Sequence, residues 1–91
     1  MKPNGIVIHE KDNTAVALFD IKNGETVCLS TKRTFPAVCD IPFSHKILTE
    51  DVVEGDSIIK YGEVIGKAGE DMKRGSWIHT HNMKIEEEER T

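Results

Sequence analysis

Apolar residues in this chain come in short runs, each closed by Gly, Pro, Asn or Asp. Residues 5–9, 14–19, 26–30, 37–39, 46–48, 57–60, 64–68 and 76–79 read as strands, the last running on towards Lys84. Asp12-Asn13 and Tyr61-Gly62-Glu63 read as tight turns, and residues 31–34 as a polar hairpin loop. No window keeps the 3.6-residue apolar period of an amphipathic helix, and residues 51–54 suit one helical turn at most. Short strands broken this often predict an all-β domain. The expected core is Ile6, Ile8, Val16, Leu18, Ile21, Val27, Ile41, Ile47, Val52, Ile58, Ile65 and Ile78. With 1 Trp, 1 Tyr and 3 Phe in the chain, that core is thin, and the domain is expected to lean on a partner surface.

One pattern recurs four times: Asp, an apolar residue, two variable residues, a turn residue, two more, then an apolar residue. The copies begin at Asp20, Asp40, Asp51 and Asp71. Three carry Gly at the turn position (Gly24, Gly55, Gly75); the second carries Ser44, followed by His45 and Lys46. Asp is expected to cap its own turn by accepting a backbone N–H two or three residues on. The apolar residue pins the turn inward, and Gly supplies the left-handed conformation that reverses the chain. Spacings of 20, 11 and 20 residues are too uneven for a solenoid and suit one domain whose halves share a turn.

Ninety-one residues allow one domain, set at residues 1–85, followed by an acidic, disordered tail at 86–91 that contains Glu86 to Glu89. The net charge is −4, and no Lys/Arg cluster interleaved with aromatics is present, so no nucleic-acid partner is expected. No apolar stretch reaches membrane-spanning length and Met1-Lys2-Pro3-Asn4 does not read as a signal peptide, so no membrane is expected and the chain reads as cytoplasmic. Cys28 and Cys39 read as reduced thiols within strands.

Three of the four histidines fall in two groups, His45-Lys46 on the divergent turn and His79-Thr80-His81-Asn82 near the end. On a strand His79 and His81 would share a face, where two imidazoles could bind a metal, hold a carboxylate or shuttle a proton. Lys46 would hold an anion as a compact charge. The plainer alternatives are a solvated His-x-His, a polar turn at His45-Lys46, a structural His9, a turn role for Asn82 and a core or interface role for Trp77. Gly62-Glu63-Val64-Ile65-Gly66 lacks the Lys and helix of a phosphate cradle.

Taken in order, Val16 to Gly24, Asp40 to Ile47, Glu54 to Gly62, Ile65 to Ala68 and His79 to Asn82 resemble the small N-terminal SAF domain, of β-clip fold, of the altronate/galactarate dehydratase family. The resemblance runs from about Gly5 to Lys84. It implies a small subunit of a sugar-acid dehydratase, inactive alone, with a large catalytic subunit as partner. A close branch of the family removes sulfite from sulfolactate. The family's Gly-His-Lys element falls on Ser44, His45 and Lys46, and its His-x-His-Asn element on His79, His81 and Asn82; Ser44 and Ile85 depart from the pattern.

The resemblance implies catalytic His45, His79 and His81 and substrate-binding Lys46 and Asn82. The chain itself would bind no cofactor; a divalent metal (iron, manganese or magnesium) is expected on the large subunit. Dehydration of a 2,3-dihydroxy acid needs an enediolate stabilised by cations and a proton for the leaving hydroxyl, which an imidazole can donate. Alternatives are the small subunit of a sulfolactate sulfo-lyase, or a non-catalytic SAF module for binding or assembly. Homo-oligomers are a further expectation where the partner is missing.

Overall fold

The computed structural model describes residues 2–85, so the expected acidic tail at 86–91 lies outside the described residues. Within them lie nine short strands and no helix: β1 (Gly5–Ile6), β2 (Thr14–Ala17), β3 (Thr26–Cys28), β4 (Thr34–Pro36), β5 (Lys46–Leu48), β6 (Ser57–Lys60), β7 (Glu63–Ala68), β8 (Trp77–Ile78) and β9 (Met83–Lys84). They form a four-stranded sheet in the order β1-β2-β5-β8, a β3-β4 hairpin and a three-stranded β6-β7-β9 sheet, all antiparallel. The fold is all-β, as the strand pattern predicts.

The four Asp-led turns work in two pairs. Ile21 and Ile41 exchange backbone hydrogen bonds at 2.9 and 2.7 Å, and Val52 and Met72 do the same at 2.9 Å each. The aspartates cross over within each pair. Asp20 accepts the Phe43 N–H at 2.8 Å and Asp40 accepts the Asn23 N–H at 2.9 Å. Asp51 accepts the Arg74 N–H and Asp71 the Glu54 N–H, both at 2.9 Å. This corrects the expectation that each Asp caps its own turn. Its own turn is closed by a backbone bond instead, such as Glu25 N–H to Lys22 C=O at 2.9 Å. The turn residues all have positive φ: 92° at Gly24, Gly55 and Gly75, and 71° at Ser44.

Two apolar clusters result. Ala15, Ala17, Ile21, Val27, Leu29, Phe35, Ala37, Ile41 and Ile47 surround the first turn pair; Leu48, Val52, Ile58, Ala68, Met72 and Ile78 surround the second. Strand β5 serves both, with Ile47 in one cluster and Leu48 in the other. Among the expected core residues, Ile8 is 53% exposed, while Ile6, Val16, Leu18 and Ile65 are only half-buried. On β2 the inward positions are Ala15 and Ala17 rather than Val16 and Leu18, because β1 and Leu29 come too close for larger groups. A Cβ on Gly5 would already lie 3.0 Å from Leu29 Cδ2. Several element boundaries also change: the strand expected at 26–30 stops at Cys28, and the last expected strand divides into β8 and β9. The strands expected at 5–9 and 14–19 stop at Ile6 and Ala17, and the strand expected at 37–39 forms earlier, as β4 over Thr34–Pro36. Cys28 lies in β3, but Cys39 sits in a bend.

Gly24 and Gly75 share φ 92° but not their surroundings. A Cβ at Gly24 meets nothing within 4 Å, whereas one at Gly75 would lie 2.4 Å from the Pro36 carbonyl oxygen. Gly24→Ala should therefore cost only backbone strain, roughly 1 kcal/mol net of the unfolded-state gain. Gly75→Ala should cost about 2–4 kcal/mol, because rigid backbone must also move. Urea unfolding of the two variants beside the parent checks this ordering; equal losses would contradict it.

Candidate functional site

Pairing of β5 with β8 assembles the site. Lys46 lies opposite Ile78 and Ile47 opposite Trp77, so the start of β5 meets the end of β8. One step further along the ladder lie His45 and His79. Ser44, just before them, takes the left-handed conformation that Gly takes in the other three turns, at φ 71°. The turn geometry is thus kept despite the change from Gly, at a strain of roughly 1 kcal/mol.

Trp77 stands between the two histidine groups. Its indole N–H donates to His45 Nδ1 at 3.2 Å, with the rings edge-on, centroids 5.4 Å apart. On its other side the His79 ring lies 4.4 Å away, and His81 lies 5.3 Å beyond His79. The Trp77 backbone N–H donates to Cys39 Sγ at 3.4 Å. A pocket of roughly 410 Å³ opens beside this cluster, lined in part by Cys39, Glu70, Lys73, Trp77, His79 and Asn82.

The expectation of His79 and His81 on one strand face is corrected. Strand β8 ends at Ile78, and residues 79–82 form a turn. Asn82 makes that turn: its Oδ1 accepts the His79 N–H at 2.9 Å and its Nδ2 donates to the Trp77 carbonyl at 2.8 Å. The His81 N–H then donates to His79 Nδ1 at 3.2 Å. The two imidazoles are neighbours through an Asn-clipped turn, not through strand alternation.

Charge is concentrated at this edge. Burial and the nearby Lys60 ammonium hold the half-buried Lys46 below the usual lysine range. Burial, then His81, His45 and Lys46, push His79 below the ordinary imidazole value, against an opposing pull from Glu70. His45, Lys46, His79 and His81 therefore gather at one edge. His9 is held in another set of contacts: its N–H donates to Asp12 at 3.0 Å, its Nδ1 accepts the Lys11 N–H at 3.0 Å, and its ring packs on Gly62. Among the described residues no group of three His, Cys, Asp or Glu is placed to hold a metal ion, so the donors here do not fit a metal held by this chain alone. No helix among them is long and apolar enough to cross a membrane. The contacts of Trp77 and the nearness of Lys60 were not visible in the sequence, because both depend on which strands pair.

The family profile of the altronate/galactarate dehydratase SAF domain matches residues 3–86. The chain is 42% identical over 84 residues to an altronate dehydratase of Bacillus subtilis (strain 168), covering 87% of this chain and 16% of that protein. It is 46% identical over 48 residues to a (2R)-sulfolactate sulfo-lyase subunit alpha of Paracoccus pantotrophus, covering 53% of this chain and 72% of that subunit. With the same-named subunit of Chromohalobacter salexigens it shares 28% identity over 85 residues, 86% of this chain and 90% of that subunit. The chain thus spans only 16% of the altronate dehydratase it matches.

The depressed His79 has a consequence for stability. The unfolded chain takes up a proton near the ordinary imidazole value of 6.5, before the folded chain does so at this position. Between the lower folded value and 6.5 the unfolded state binds more protons, so stability present above 6.5 is lost as the pH falls through that window. Thermal unfolding followed against pH should show this slope in the parent and a flatter one in His79→Gln. Identical slopes would contradict the assignment.

Proposed function

This chain belongs to the altronate/galactarate dehydratase SAF-domain family, and on that premise we propose that it is the small subunit of a sugar-acid dehydratase, completing a site shared with a large catalytic subunit. The observation that carries this reading is the gathering of His45, His79 and His81 along Trp77 at one exposed edge, with Lys46 beside His45 at the same end of the β5–β8 ladder. Two groups remote in sequence and rich in proton carriers meet there, beside a pocket.

The chemistry assigned to this chain is limited to what its side chains can do. Lys46 holds the substrate carboxylate. One imidazole delivers a proton to the departing β-oxygen as its bond to carbon breaks and the electron pair leaves with it, so that water is released. The α-proton leaves to a base that this reading assigns to the large subunit, while Glu70, which lines the pocket beside His79, acts on that ring's charge. The divalent metal implied by the family is likewise placed on the large subunit. Phe19 and Phe43, 60% and 59% exposed on the first turn pair next to His45, are candidate contacts for that subunit.

A second reading, the small subunit of a sulfolactate sulfo-lyase, is favoured by the match along 90% of such a subunit. Lys46 would then hold the carboxylate or sulfonate by the same geometry. Co-expression with a large dehydratase subunit and assay on altronate, galactarate and sulfolactate separates the two readings. The isolated chain should turn over none of them. His45→Ala should lower turnover of the assembled enzyme about 10²–10³-fold, the range for losing a donor to developing charge, with subunit binding intact. Lys46→Ala should mainly raise KM, since it removes binding shared by ground and transition states. Full activity in both variants would instead favour a non-catalytic binding or assembly module.

A further inference from the structure

Trp77 touches both histidine groups through different parts of its ring, and the contacts determine where protons sit. Its indole N–H can only donate, so His45 Nδ1, 3.2 Å away, must be the acceptor. An acceptor nitrogen carries no proton. The single proton of a neutral His45 ring is therefore on Nε2. The same holds for His79, whose Nδ1 accepts the His81 backbone N–H at 3.2 Å. Protonating either Nδ1 would set one N–H against another and leave a donor unpaired.

Most of the groups near His79 act in the same direction. His81 from its own turn, His45 and Lys46 from the start of β5 all oppose a positive charge on it, and only Glu70 favours one. Lys60 adds positive charge beside Lys46. Both rings thus carry their proton on Nε2 and keep no lone pair on that nitrogen. Among the described residues, the His81 ring has no hydrogen-bonded nitrogen; its ring contact is with His79.

We infer that Trp77 is a positioning residue that keeps the proton of His45 on Nε2, so that His45 and His79 act as uncharged N–H donors while His81 is the ring that transfers a proton. This rests on the lyase reading for its functional half. There, His45 and His79 donate hydrogen bonds to the oxygens where charge develops and give up no proton. The His81 imidazolium gives its proton to the leaving β-oxygen and returns to neutral imidazole, and the electron pair of the broken carbon–oxygen bond stays on the water that departs. The α-proton goes to the base on the large subunit.

The tautomers can be read without any turnover, by ¹⁵N NMR of the ring nitrogens in the full chain at a pH well above the ordinary imidazole value. His45 and His79 should both show a protonated Nε2 and a bare, hydrogen-bonded Nδ1. In Trp77→Phe the aromatic ring remains but the donor is gone, and the His45 tautomer ratio should shift about fivefold towards Nδ1–H, the equivalent of one ordinary hydrogen bond. His9, whose Nδ1 is held by the Lys11 N–H, should not change and reports that the fold is intact. A proton on Nδ1 of His45 or His79 in the parent overturns the assignment, whatever the variant does. So does an unchanged His45 in a folded Trp77→Phe.

The functional half is read in the assembled enzyme. His45→Gln, which keeps an N–H near the Nε2 position, should retain turnover at least tenfold above His45→Ala. His81→Gln should abolish the alkaline limb of the kcat–pH profile. Equal loss in His45→Gln and His45→Ala, or an alkaline limb that survives in His81→Gln, overturns the division of roles. If no pairing of subunit and acid gives turnover, the lyase reading fails, while the ring-nitrogen measurement still decides the positioning role of Trp77.

Discussion

The crossed exchange between paired turns is the constraint on which the rest of this domain depends. Each Asp-led turn closes on itself through its backbone but leaves the N–H of its fourth residue facing out. The Asp of the partner turn accepts that N–H, at 2.8–2.9 Å in all four cases. Neither turn of a pair is complete without the other. The four carboxylates are exposed, so each bond is worth only about 1 kcal/mol rather than the larger value of a buried charged pair. What the exchange supplies is register. It fixes Ile21 against Ile41 and Val52 against Met72, and so delivers one apolar side chain from every turn into a cluster.

From that register the site follows without further devices. The second and fourth copies of the repeat are the ones that lead into β5 and β8, and these two strands pair across the boundary between the turn pairs. Chemistry placed just after the second turn and just beyond β8 therefore meets at one edge. Strand β5 can bridge the halves because its successive residues feed different clusters, Ile47 one and Leu48 the other. Trp77 repeats this division on β8: it packs against the first cluster, while Ile78 belongs to the second. The indole is held by packing, and its N–H is consequently aimed rather than free to turn.

Much of this was legible in the sequence. The repeat, the absence of helix and the two histidine groups all follow from residue patterns. The partner of each Asp did not, because a carboxylate two residues from a backbone N–H and one brought in by a paired turn leave the same local signature. The equal 20-residue spacings within the two pairs were the available hint. On β2, strand alternation allows two phases, and hydrophobicity alone selects Val16 and Leu18. The structure selects Ala15 and Ala17 because space beside Gly5 and Leu29, not transfer free energy, is limiting there. At residues 79–82, Asn82 carried the turn signal, yet the alternation of His79 and His81 imitates a strand.

The position of the cluster bears on why one domain alone would make a poor lyase. Electrostatic stabilisation of a developing oxyanion is strong when donors are fixed and water is excluded. Here the donors are fixed, by Trp77 on one ring and by the Asn82 turn on the other. Water is not excluded, since His45 and His81 are exposed and the neighbouring pocket is open to solvent. A site pre-organised in direction but unshielded in dielectric gains most from a surface that closes over it. Such a cover would also bring the lysine and imidazole groups into a medium where their mutual repulsion is larger, a cost that an anionic substrate entering between them would offset. On the proposed reading, closure and anion binding are therefore coupled: each makes the other more favourable, and neither is available to the small domain by itself.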